Sequence, residues 1–126
     1  MKVYIATPIT SRKEATMEER FEAAKIRVDR IRDMLRGCQY VEDVISAFDL
    51  AITPHTPEGY AMGKCVQTVI ESDVVVFDDG WQDSRGCQIE REVATSYGKT
   101  CVYKARGKWQ LSNTITSWLD AIDESE

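Results

Sequence analysis

The run Asp73-Val-Val-Val-Phe77 constrains this chain more than any other segment. Three valines and a phenylalanine in a row leave no polar face, so the segment reads as a strand covered on both sides. Such a strand belongs in a parallel sheet with helices packed on each face. A polar loop follows, and then a helix that begins near Ser84 and Arg85. Glu90 falls about one and a half turns into that helix, close to the carboxyl end of the strand, where open α/β sheets bind their ligands.

The rest of the chain alternates in keeping with that strand. Residues 2–6, Lys-Val-Tyr-Ile-Ala, read as a first strand, broken by Thr7-Pro8. From Glu14 to Leu35, Phe21, Ala24, Val28, Ile31 and Leu35 recur at helical spacing, and Gly37 is a stop signal. Val41, Val44, Ile45 and Phe48 are spaced for a short helix, and Leu50–Thr53 for a second short strand ended by Pro54. A helix is expected over Tyr60–Ser72 and another over Ser84–Tyr97, closed by Gly98. A strand is expected over Thr100–Tyr103. Ser112 or Asn113 is placed to cap a final helix through Ile122, with Trp118, Leu119 and Ile122 toward the core and a frayed acidic tail beyond. The expected architecture is a three-layer α/β domain over residues 1–126, flavodoxin-like or Rossmann-like, with a parallel sheet of four to five strands and right-handed crossovers.

Composition excludes several functions. A net charge of −5 argues against a nucleic-acid partner, which would require a basic face. No apolar run approaches the ~20 residues of a membrane span, and the strand-like N-terminus is no signal peptide. A cytoplasmic location is therefore expected. The four cysteines, Cys38, Cys65, Cys87 and Cys101, show no C-x-x-C spacing, and the single His55 completes no zinc set. They read as reduced thiols, and His55 as a loop residue between prolines.

The loop after the first strand has no glycine-rich phosphate fingerprint. The chemistry-bearing residues near the strand ends are Tyr4, the Thr7–Arg12 loop, Asp78, Asp79, Trp81, Asp83, Ser84, Arg85 and Glu90. Ser84 and Arg85 at a helix start combine backbone N–H groups, a hydroxyl and a guanidinium, which suits an anion. The plainer reading is an N-cap followed by a solvated arginine. A carboxylate beside an anion pocket suits displacement at an anomeric carbon, where it can stabilise or bond to an oxocarbenium-like centre. Tyr4 on the first strand is a candidate hydrogen-bond donor to Glu90.

Val3-Tyr-Ile-Ala-Thr-Pro-Ile-Thr10, Ser72-Asp-Val-Val-Val-Phe77 and Gly80-Trp-Gln-Asp-Ser-Arg-Gly-Cys-Gln-Ile-Glu90, with Ala94 and Gly98-Lys99 following, resemble the nucleoside 2-deoxyribosyltransferase-like superfamily. The similarity is strongest to a small branch found in bacteria and phages, and the Gly-Trp-x-x-Ser-x-Gly-x-x-x-Glu segment is its most specific part. The resemblance implies a homodimer or higher homo-oligomer that cleaves the N-glycosidic bond of nucleosides or their 5′-monophosphates without metal or organic cofactor. It implies that Glu90 is the nucleophile and that Tyr4 positions it. The position six residues before the glutamate meets the 5′ end of the substrate. It is an aspartate in nucleoside transferases and a serine in nucleotide hydrolases; here it is Ser84. A hydroxyl at a helix N-terminus can bond a 5′-phosphate that a carboxylate would repel.

Further substrate contacts are expected from Thr7, Pro8, Ile9 and Thr10, with Arg12 as a cation in a shifted position, and from Asp79, Arg85 and Gly86. Trp81 is placed either to stack on a base or to pack a turn. Asn113 is the candidate contribution to a neighbouring subunit's pocket. Where the family carries an aspartate that contacts the base, counting back from Asp73 gives Cys65. That departure keeps a second reading open, a nucleotide-binding or sensing protein that uses the same pocket without turnover.

Overall fold

The computed structural model describes residues 1–9, 16–36, 40–105 and 108–110. In chain order the elements are β1 (Lys2–Ala6), α1 (Met17–Arg36), β2 (Asp43–Ser46), α2 (Glu58–Glu71), β3 (Val74–Phe77), α3 (Arg85–Ser96), β4 (Thr100–Ala105) and β5 (Lys108–Gln110). Single 3₁₀ turns at Ala47–Leu50 and Trp81–Asp83 lead from β2 toward α2 and from β3 into α3. The sheet order is β2-β1-β3-β4-β5. The first four strands run parallel, with Val3 opposite both Val44 and Val74 and Val74 opposite Thr100, while β5 runs antiparallel to β4.

Side-chain alternation divides the core into two halves. Val3 and Ile5 of β1, Val74 and Val76 of β3 and Val102 of β4 pack with Val28, Ile31, Met34 and Leu35 of α1. Tyr4, Ala6, Val75 and Phe77 point the other way, toward Cys65 and Val69 of α2 and Cys87 and Ala94 of α3. All four residues of β3 are buried, as the apolar run requires. Each such side chain contributes about 1.5–3 kcal/mol when fully buried. The same alternation turns Tyr4 toward the layer that carries α3. No helix among the described residues is long and apolar enough to cross a membrane.

Two expectations are corrected. The spacing of Val41, Val44, Ile45 and Phe48 does not form a helix, and Leu50–Thr53 is not a strand. The second strand is instead Asp43–Ser46, paired to β1 along Lys2–Ile5. The helical spacing arises because Val41, Val44 and Phe48 all reach the α1 side of the core, from the chain before β2, from β2 itself and from the 3₁₀ turn after it. Ser46 then ends the strand as a cap: its hydroxyl accepts from Phe48 N, while the Asp49 carboxylate accepts from Ser46 N at 2.8 Å. Ala51, in the left-handed region at φ 58°, closes that turn. The fifth strand of the sheet, β5, runs antiparallel, whereas the expected sheet of four to five strands is parallel throughout. Residues 14–15 of the first expected helix and the whole of the expected final helix lie outside the described residues.

One polar tie joins the layers. Asp78, just past β3 and 4% exposed, accepts from Thr7 Oγ1 at 2.6 Å and from Arg27 Nε of α1 at 3.1 Å through the same carboxylate oxygen. Its other oxygen accepts from Asp79 N, and Arg27 Nη2 also donates to Pro8 O at 2.8 Å. Removing one partner of a buried pair leaves the other charge poorly compensated, although Arg27 is partly solvated. Asp78→Ala should lower unfolding free energy by about 2–3 kcal/mol, with Arg27→Ala costing less, as read from urea denaturation midpoints.

Candidate active site

The loop after β1 is shaped by Pro8, which offers no N–H to a sheet ladder, and it is held by the Asp78–Arg27 tie. Gly80, at φ 89°, makes the tight turn after β3, and a Cβ added there would meet Pro8 Cγ at 3.6 Å. The 3₁₀ turn that follows delivers Ser84 as the N-cap of α3, with its hydroxyl accepting from Cys87 N at 3.3 Å. The helix then carries Glu90 inward against β1, and only 6% of the residue is exposed.

These elements surround a cleft of about 210 Å³. That is far more than the ~10–15 Å³ that a single water needs. Tyr4, Thr7, Ser84, Cys65, Cys87 and Glu90 contribute its polar edge, and Phe21, Phe48, Ile52 and Met62 are among its apolar walls. The cleft opens at the carboxyl ends of β1 and β2, beside the point where the strand order reverses.

Burial drives the electrostatics. Desolvation pushes the Glu90 carboxyl up to about 7, and the hydrogen bond from the Tyr4 hydroxyl pulls it part of the way back. Its Oε2 is buried with no hydrogen-bond partner. Burial, then the Glu90 charge, hold Tyr4 well above the usual phenol range. Burial followed by the same charge raises the Cys65 thiol to about 11 and the Cys87 thiol to about 12. Tyr4 of β1, Cys65 of α2 and Cys87 of α3 all lie close enough to Glu90 to feel its charge, so three elements meet around one carboxyl group. A carboxyl that ionises near neutrality can act as nucleophile or as proton donor.

Six of the residues expected from the sequence line this cleft: Tyr4, Thr7, Ile9, Ser84, Gly86 and Glu90. Pro8 supports the loop through its carbonyl but does not line the cleft. Asp79 is exposed. Arg85 is exposed as well, 3.9 Å from the Glu58 carboxylate rather than turned into the cleft. Trp81 packs as a turn residue, against Phe77 at 5.8 Å and Tyr103 at 4.8 Å between ring centroids, with the Arg91 guanidinium over its ring. Thr10, Arg12 and Asn113 lie outside the described residues. His55 is exposed, with Nε2 3.7 Å from Glu18 Oε1.

Sequence reasoning missed one wall of the cleft. Ser46, Ala47 and Phe48 reach it from the carboxyl end of β2, and the displaced second strand concealed them. Thr53, Pro54 and Thr56 reach it from a loop folded on itself by Thr53 N donating to Thr56 Oγ1 at 2.8 Å. Phe21, which the helical spacing assigned to the core of α1, also faces the cleft. Among the described residues, no group of three or more His, Cys, Asp and Glu is placed to hold a metal ion.

No curated protein matches this chain. Among solved structures, the "2-desoxiribosyltransferase from Leishmania mexicana" matches with a TM-score of 0.58 at 16% identity, over 82% of this chain and 63% of that one. The likeness is one of fold, and this chain spans less than two thirds of that enzyme's length. Residues 1–103, which include every residue named around the cleft, match the family described as "Domain of unknown function (DUF4406)", and the chain belongs to that family.

Proposed function

We propose that this protein cleaves the N-glycosidic bond of a nucleoside or nucleoside 5′-monophosphate, with Glu90 as the nucleophile at C1′. The observation that carries this reading is the Glu90 carboxyl itself. It is buried at the base of an open cleft, with Tyr4 beside it as a hydrogen-bond donor and Oε2 without a partner. Leaving a buried polar atom unsatisfied costs about 1–3 kcal/mol. An oxygen kept in that condition beside an organic-sized cavity is available to a ligand atom. The shared fold with a deoxyribosyltransferase supports the same assignment.

In the proposed reaction, Tyr4 orients the carboxylate and the unpartnered Glu90 oxygen bonds to C1′. The electron pair of the C1′–N bond leaves with the base, and a neutral base balances it by taking up a proton from water. The glycosyl ester is then opened by water, which gives the free sugar, or by a second base, which gives exchange. Ser84 Oγ already accepts from Cys87 N, so its own hydrogen remains to donate toward the 5′ group at the head of α3. A second reading, binding without turnover, draws on Cys65. Its thiol is held protonated deep in the cleft and is a weak donor to a departing base.

The two readings separate in one assay. Nucleosides and their 5′-monophosphates are incubated with the protein, and free base is measured by chromatography. Release that falls by about 10³-fold or more in Glu90→Gln supports the nucleophile. Tight ligand binding without release, unchanged in Glu90→Gln, would overturn it. Ser84→Asp keeps a competent helix cap and should raise KM for a monophosphate by about 10–100-fold, with little effect on the matching nucleoside.

The raised pKa of Glu90 also predicts two pH dependences. Activity that uses the carboxylate should rise with pH and level off above about 7. Stability should run the opposite way. Between about pH 4.5 and 7 the unfolded chain has lost this proton and the folded one retains it, so unfolding free energy falls as pH rises and flattens above 7. The fall is at most about 3 kcal/mol for this group, and Glu90→Gln should remove it from denaturation curves taken across that range.

A further inference from the structure

The walls of the cleft carry a chemistry that the glycosidic reading does not itself require. Phe21 and Phe48 both line it and meet edge to face, with centroids 5.7 Å apart and planes at 87°. Met17 and Met62 add polarisable thioethers to the same lining. Two carboxylates belong to it, Glu90 at the base and Glu58 at the rim, the latter 3.9 Å from Arg85. Aromatic faces, thioethers and a desolvated carboxylate with an unpartnered oxygen are together the surroundings that favour an organic cation.

We infer that the cleft takes N-glycosides whose base already bears a positive charge, such as a pyridinium or an N-alkylated purine. The inference rests on the proposed N-glycosidic reading, and it names the class of leaving group. The balance of the reaction suits these residues. When the Glu90 carboxylate bonds to C1′, the electron pair of the C1′–N bond returns to the ring nitrogen and cancels its positive charge. The base departs neutral and requires no proton. Water then opens the glycosyl ester, placing its hydroxyl on C1′ and releasing one proton. In sum, a cationic nucleoside and water give a neutral base, a sugar and a proton.

The groups around Glu90 agree with that route. Among the described residues that line the cleft, the ionisable neighbours deep in it are Tyr4 from β1, Cys65 from α2 and Cys87 from α3 itself. Burial keeps all three protonated and neutral, so they neither compete for a bound cation nor surrender protons readily to a leaving group. A cation against Glu90 would in turn favour its ionised form, the form the attack requires.

The binding test compares a cation with a neutral analogue that differs from it by one methyl group. Binding of 1-methylnicotinamide and of nicotinamide is measured by titration calorimetry on the wild-type protein and on Glu90→Gln. The cation should bind about tenfold or more tightly. That preference should grow from about pH 6 to about pH 8 as Glu90 ionises, and fall in Glu90→Gln to the part the aromatic walls supply, with no dependence on pH left. Phe21→Leu, which keeps the wall apolar, should lower the preference several-fold and guards against a misfolded Glu90 variant.

Base release is measured in parallel from 7-methylguanosine and nicotinamide riboside against guanosine, with Glu90→Gln as the control for spontaneous loss. Release from the charged pair, at about 100-fold or more above that control and above guanosine, supports the inference. Equal release from guanosine without any binding preference for the cation overturns it and leaves the glycosidic reading in place. A cation preference that depends on Glu90, with no release from any compound, overturns the glycosidic reading and leaves the cation site standing.

Discussion

A strand with no side left for water is the constraint from which the other features follow. Val74–Phe77 must be covered on both faces, so α1 is committed to one side and α2 and α3 to the other. β1 lies beside β3 in parallel register and inherits the same two environments. Val3 and Ile5 serve the α1 half, whereas Tyr4 and Ala6 serve the other. A phenol therefore arrives beneath α3 because of strand periodicity alone, and Glu90 meets it because the α3 cap fixes where the helix begins.

The site sits at odds with the packing that creates it. A carboxyl this deeply buried is held near neutrality by desolvation, and one of its oxygens is left without a partner. Both conditions work against folding. Elsewhere the polar groups that position the site are well bonded. Asp78 uses both oxygens, and Ser46 and Ser84 cap the turn and the helix they precede. Among the described residues, Arg20, Arg32 and Trp81 also bury a nitrogen without a partner, but of these four residues Glu90 alone lines the cleft.

Much of this was legible in the sequence because the signals were local. The valine run, the alternation in β1 and the Ser84 cap each announce themselves within a few residues, and they carry most of the fold and the contact between Tyr4 and Glu90. What escaped depends on assembly. Val41, Val44 and Phe48 share a core half without sharing a helix, so their spacing imitated a period that the backbone does not have. Trp81 was ambiguous because its neighbours, Tyr103 and Arg91, lie 22 and 10 residues away in sequence and come together only across β4 and α3. The Phe48 wall was hidden for the same reason as β2 itself. A four-residue strand with a half-buried interior and a capped end carries too little pattern to be recognised alone.

The double duty of Ser84 carries an evolutionary consequence. Residues that satisfy a helix start form a short alphabet of Ser, Thr, Asp and Asn. The same alphabet contains donors, acceptors and charges of different affinity for an anionic or a neutral ligand. Drift within that alphabet leaves α3, and with it Glu90, in place while it changes the chemistry that the head of the helix presents to the cleft. If the head of α3 meets the ligand as proposed, a lineage carrying this scaffold changes ligand preference by single steps through folded intermediates, because the helix start tolerates the same small set of residues that the ligand would distinguish.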